Sequence, residues 1–354
     1  MKKPIPLLLS TLLSASILIS GCGSSQSTTT QGQSPETKEV NVYTARHYPG
    51  IDDGIYKAFT DKTGIKVNII KASGEELIQR IKTEGANSKA DIFFTEDAGN
   101  LYIAKEADLL QPIKSTALEK NIPSNFRDKD NMWVGLTMRA RILVYAKDRV
   151  KPEQLSTYED LADVKWSGRI LTRSSTNIYN KSLLAASIEI HGEANSKEWA
   201  QGIVNNMARK PEGGDRDQAK AVAAGIGDVA IMNSYYLGQM LTSKDPEEVK
   251  AAQQLGIFFP NQNTTGTHVN VSGAGVVKTS KNAANAIKLL EFLSEAESQR
   301  VFAEASAEYP VNPSVEPSAL LKSWGPFKKQ DINLSKLGEN NKKAVQIFNE
   351  VGWK

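Results

Sequence analysis

From Val40 onward the chain keeps switching between two hydrophobic periods, and that switching restricts it to few folds. "EVNVYTA" carries a strand signal, and "GIYKAFTDKTG" places apolar residues at helical spacing before a glycine stop. "IKVNII" is strand-like, "GEELIQRIKTEG" helical, "ADIFFTED" a short buried strand and "NLYIAKEADLL" helical again. Such β-α-β-α-β alternation predicts an α/β architecture, with a mostly parallel sheet flanked by helices.

A second series follows. "WSGRILTR" reads as strand, "NKSLLAASIEIHG" and "AKAVAAG" as helices, and "DVAIMNSYY" as strand. The two series are joined by long extended segments, "MWVGLTMRARILVYAK" and "HVNVSGAGVVKTS". Two α/β regions joined in this way predict two lobes with crossing strands between them. One continuous domain with a large sheet is the alternative.

In open parallel sheets ligands bind beyond the carboxyl ends of the strands, so the residues that follow each strand matter most. Arg46, His47 and Tyr48 follow the first; Ser174, Ser175, Thr176 and then Tyr179 follow "RILTR"; Tyr235 and Tyr236 close "DVAIMNSYY"; Arg139 comes after "VGLT". Four of the ten tyrosines, one of three histidines and two arginines therefore gather at strand ends. Tyr179 alone reads as an ordinary half-buried packing residue. The adjacent pair is different, because successive strand side chains point to opposite faces and only one of them can enter a given core. His191 ends a helix, where a cation suits the dipole; nothing in the pattern places His268.

No catalytic arrangement accompanies these residues. The chain has no G-x-S-x-G, H-E-x-x-H or P-loop, so it reads as a binding protein and not an enzyme. Phenols with one imidazole suit a hard, highly charged cation, unlike the soft thiolates that select copper(I) or zinc. Ionising one tyrosine at neutral pH costs about 4 kcal/mol, so four cost about 16 kcal/mol. A trivalent ion bonded to all four can offset that cost, because a bound cation inverts the local pKa logic. Ferric iron is the expected ion, with ferrous iron the alternative. Four phenolates on a 3+ centre leave one net negative charge, which Arg139 or Arg46 is available to balance.

The N-terminal stretch bears on location. Lys2 and Lys3 precede an apolar run from Ile5 to Ile19 that is too short and too polar to span a membrane. The run ends in "ISGC", which resembles the bacterial lipoprotein signal, with Cys22 as the acylated residue. Cys22 is the only cysteine, so no disulfide framework is expected. Residues 23–38 are a Ser, Thr, Gln and Gly tether. With 43 basic and 40 acidic residues, or 41 basic once Lys2 and Lys3 are removed, a nucleic-acid partner is not indicated.

"YTARHY", "TNIYN" and "NSYYLG", in this order behind a lipoprotein signal, resemble the ferric-iron-binding proteins of ABC-type importers, nearest to the cyanobacterial tyrosine-rich type. The likeness runs over essentially all of residues 40–354 and includes "EYPVNP". It implies a two-lobed periplasmic-binding-protein fold of type II: a signal at 1–21, a tether at 22–38, a first lobe of 39–137 and 270–318, a second of 138–269, and a C-terminal helical segment at 319–354. It further implies Tyr48 as the first-lobe ligand, Tyr179, Tyr235 and Tyr236 as second-lobe ligands, and His47 as a fifth ligand in some members. Arg139 matches an arginine that balances the phenolates. Some members carry another arginine shortly after the tyrosine pair, where this chain has Gln239. The implied setting is a periplasmic monomer, anchored through Cys22, that serves an iron permease. Receptors for an oxyanion, through "RSSTN", or for a polyamine, with Glu96 and Asp97 as carboxylates, are the alternatives; an anchored scaffold without a small ligand is a third.

Overall fold

The computed structural model describes residues 38–46 and 50–354. The first α/β series forms β1 (Glu39–Thr44), α1 (Ile51–Thr63), β2 (Lys66–Lys71), α2 (Gly74–Glu84), β3 (Ile92–Thr95), α3 (Ala98–Glu106), β4 (Leu110–Gln111) and α4 (Thr116–Asn121). The long β5 (Val134–Ala146) leads to β6 (Ile170–Leu171), α5 (Ile178–Asn206), α6 (Asp215–Ala223), β7 (Val229–Asn233), α7 (Ser234–Leu241), α8 (Pro246–Gln253) and β8 (Leu255–Phe258). The chain then returns through β9 (Val269–Val277), α9 (Ala283–Ser294), α10 (Ala296–Ser306) and β10 (Tyr309–Pro310), and ends in α11 (Ala319–Ser323), α12 (Ser335–Glu339) and α13 (Asn341–Val351).

Local signals account for the boundaries. Ser73 Oγ accepts from Glu76 N at 3.3 Å while the Glu76 carboxylate accepts from Ser73 N at 2.9 Å, a reciprocal cap that starts α2. Gly64 stops α1 at φ 72°, a left-handed conformation that glycine adopts without strain. The apolar helical run over 282–306 forms two helices, α9 and α10, which break at Glu295, whose ψ is 150°.

The sheet is mixed and not mostly parallel. β1–β2, β1–β3 and β6–β7 are parallel, while β9 runs antiparallel to β3 and β5, and β5 antiparallel to β7 and β8. The cause is the pair of crossing segments. β5 pairs with β9 over Val134–Ala140, then with β7 from Arg141 to Tyr145. One strand thus leaves the first sheet region and enters the second between Ala140 and Arg141. The return runs beside it, since the Arg141 amide donates to His268 O at 2.9 Å just before β9 begins. Two such antiparallel crossings must reverse direction relative to the strands on either side.

Burial does not follow the same division. The larger core gathers Val42, Phe93, Phe94 and Leu289 of the first series and also Val222, Met232 and Leu255 of the second; a smaller one gathers Leu143, Trp166, Trp199 and Ile231. The C-terminal segment is built into these cores, with Leu337 in the first and Ile347, Phe348 and Trp353 in the second. α12 packs so closely on α3 that a Cβ on Gly338 would sit 2.2 Å from Tyr102 Cβ. Gly338→Val should therefore cost about 1–3 kcal/mol by overpacking. Urea unfolding checks this, and a midpoint equal to wild type would show that α12 can shift off α3 freely.

Candidate metal centre

Tyr235 and Tyr236 do not end a strand. β7 stops at Asn233, and the pair occupies the first turn of α7. The strand reading gave one tyrosine to each face; helical geometry instead turns successive side chains by about 100°, so both can border one cleft. Their rings lie 4.2 Å apart, tilted by 37°. Tyr179 likewise sits in the first turn of a helix, because Asn177 caps α5 and accepts from Tyr179 N at 3.0 Å. The two helix starts bring Tyr179 Oη and Tyr235 Oη to 3.1 Å. Residues 56 positions apart thus share one hydroxyl hydrogen bond. Tyr179 and Tyr235 are buried and Tyr236 is half-buried. All three phenols stand at the positive ends of helices, where developing negative charge is favoured.

His47 and Tyr48 lie outside the described residues, as does Cys22. Arg46, just before them, is buried between the Phe94 and Phe302 rings. Its guanidinium donates to Asp52 at 2.7 Å and to Glu308 at 2.9 Å. Those two carboxylates take up its charge, so Arg46 is not a spare cation for phenolates.

Arg139 lies 5.4 Å from the Tyr179 ring and donates to Asp97 at 3.2 Å. Asp97 caps α3 and also accepts from Ser182 on α5 at 2.7 Å and from Asn270 on β9 at 2.9 Å. It therefore links α3, α5 and β9 beside the tyrosines. Two more arginines border Tyr179 that the residue pattern did not single out. Arg141, 5.8 Å from the ring, donates to Asp215 at 2.7 Å, and Arg173 lies 5.4 Å from the ring. A signal for Arg141 existed: in "MRARI" two arginines two apart on a strand share a face. Nothing comparable marks Arg173 or Asp215.

Burial holds the Tyr179 phenol well above its ordinary pKa; negative charge on Tyr236 and Glu96 adds to this, while Arg139 and the Tyr235 hydroxyl oppose it. Burial also lifts the Glu96 carboxyl above the usual carboxylate range. Without a cation, then, Tyr179 keeps its proton. His268 is buried, with Nδ1 3.0 Å from Gln330 Oε1, and desolvation lowers its pKa to about 4. His191 faces Glu159 at 2.9 Å, away from the tyrosines in sequence and partners. Gln239 accepts from Arg216 at 2.7 Å, and Arg216 is also paired with Glu248. Among the described residues no group of three or more His, Cys, Asp or Glu side chains is placed to hold a metal. An apolar recess of about 520 Å³ between Phe126, Tyr309 and Phe327 has none of the three tyrosines in its lining. Converging phenols are the arrangement here that can hold a hard cation.

Residues 54–329 match the family described as bacterial extracellular solute-binding protein. Over 322 residues the chain is 49% identical to iron uptake protein A2 of Synechocystis sp., spanning 90% of this chain and 91% of that one. It is 29% identical to the major ferric iron-binding protein of Neisseria meningitidis serogroup B, spanning 90% and 95%. The solved structure of Trichodesmium IdiA (FutA), in complex with iron and citrate ligands, superposes with a TM-score of 0.87 at 51% identity, covering 89% of this chain and all of that one.

Proposed function

We infer that this chain, which belongs to the bacterial extracellular solute-binding protein family, captures ferric iron between its lobes and delivers it to an ABC-type membrane permease. The observation that carries this reading is the meeting of Tyr179 and Tyr235 hydroxyls at 3.1 Å, with Tyr236 against Tyr235. Buried phenols in contact are poor partners for one another once ionised, and a trivalent ion between them removes that repulsion. The relatives named for iron uptake and ferric binding support the same cargo.

In this mechanism the second lobe, 138–269, holds Tyr179, Tyr235 and Tyr236, and the first lobe, 39–137 with 270–318, supplies Tyr48 and His47 on closure. Rotation occurs where β5 and the segment before β9 cross, and closing expels water from the site. Asp97, bonded to Ser182 of the other lobe, holds the closed arrangement. Protonation or reduction weakens the phenolate bonds and returns the ion. The body acts as a monomer in the periplasm, tethered through lipidated Cys22.

Ferric citrate added to the purified protein should produce a visible phenolate-to-iron charge-transfer band. Calorimetry with ferric citrate, phosphate and spermidine separates this reading from its rivals. Heat on phosphate or spermidine alone, with no colour, would move the assignment to an oxyanion or polyamine receptor.

A further inference from the structure

Charge around the tyrosines can be assigned pair by pair, resting on the ferric reading above. Arg46 has Asp52 and Glu308. Arg139 has Asp97. Arg141 has Asp215 at 2.7 Å, together with the amide oxygens of Asn233 at 3.2 Å and Asn180 at 2.9 Å. Arg216 has Glu248. Arg173 is different. Its nearest carboxylate oxygen is Asp215 Oδ1 at 3.6 Å, beyond hydrogen-bond distance, on a residue already committed to Arg141. Its buried Nε has no hydrogen-bond partner among the described residues, as holds for Arg139 Nη1 and Arg141 Nε, so the long, shared contact with Asp215 is what sets Arg173 apart. Asp215 thus sets one negative charge against two guanidinium groups; the Glu96 carboxyl also acts on Tyr179, but its burial favours the neutral form, which leaves a surplus of one positive charge beside Tyr179.

Four phenolates around a ferric ion carry a surplus of one negative charge. We propose that Arg173 is the cation that neutralises the loaded iron site, and that it is thereby a determinant of ferric affinity and of the bound metal's reduction potential. Its place is fixed from both sides. Trp353 Nε1 donates to Arg173 O at 3.1 Å, and Asn180 Nδ2 donates to the same oxygen at 2.8 Å. The guanidinium stands 5.4 Å from the Tyr179 ring, and its side chain is only one-fifth exposed, so solvent screens it weakly. The C-terminal tryptophan therefore helps to aim a charge into the cleft.

Two charge-removing changes give opposite signs. Arg173→Gln removes the surplus cation, so ferric affinity should fall by about 10–100-fold, the range for loss of an outer-shell partner. Reduction makes the loaded site more negative, so loss of a nearby cation should also lower its reduction potential. Asp215→Asn leaves a second unmatched cation and should raise the potential, while Arg173→Lys should restore wild-type values. Spectroelectrochemistry on the full chain, loaded with ferric citrate and followed at the charge-transfer band, reads all three. A merely structural role would not move the potential in opposite directions. Should Arg173→Gln fail to fold, Asp215→Asn still decides the sign. Unchanged potentials, or shifts of equal sign in both variants, would overturn the assignment to Arg173 and leave the iron reading intact. A wild-type protein that takes up no ferric ion overturns both.

Discussion

Phenylalanine at Tyr235 should reduce ferric affinity by more than the roughly 100-fold that outer-shell substitutions cost, because it removes an anionic ligand and not a support for one. The fold should survive the change. Phe keeps the ring that lies 4.2 Å from Tyr236, and the bonds lost from the apo protein include the 3.1 Å contact with Tyr179. Such a hydrogen bond is worth about 0.5–1.5 kcal/mol net. Tyr179→Phe and Tyr236→Phe should behave alike, each shifting or bleaching the charge-transfer band. Tyr309→Phe is the control: it too is a buried phenol, with a hydroxyl that finds no partner among the described residues, but it lies in the separate apolar recess. Competition against a ferric chelator measures the difference. Equal affinity in Tyr235→Phe and Tyr309→Phe would remove Tyr235 from the metal's ligands.

The contrast between those two tyrosines also marks how far sequence reasoning reaches. Alternating periods placed β1, α1, β2, α2 and β3 correctly, because each signal is local and each helix carries its own cap. The two long extended runs were correctly read as the crossing segments, since β5 buries every one of its residues and no helix interrupts it. The tyrosine pair was readable as unusual, yet its helix was not, because "NSYYLGQML" contains a strand-compatible tyrosine pair and the switch depends on Asn233 ending β7. Charge assignment was the least legible part. Arg46 was read as an available cation, whereas its partner Glu308 lies 262 positions away, and Asp97 meets Ser182 across 85. No period or spacing encodes such pairs. They exist only once both lobes have folded, and they decide which arginine is left with surplus charge.

Acidification should release iron far more steeply than a single titrating group allows. In the apo protein, burial raises the pKa of Tyr179, so the protonated phenol is the folded form's preferred state. That contribution to stability is complete below the unfolded tyrosine value of about 10, and it is lost as pH climbs through the raised folded value. Ferric binding reverses the preference, since each ligand phenol must surrender a proton before it can bond the metal. At pH values where the apo phenols are protonated, every proton displaced therefore contributes about tenfold in affinity per pH unit. Tyr179, Tyr235 and Tyr236 together give roughly 10³-fold per unit, and Tyr48 would raise this to roughly 10⁴-fold. Removing one ligand as phenylalanine should lower the slope by one proton as well as weaken binding. Equilibrium competition with a chelator of known proton dependence, run between about pH 5 and 8, yields the slope directly. A dependence of one proton or fewer would mean that the phenols do not ionise on binding, and a site built from neutral donors would have to replace the tyrosinate one.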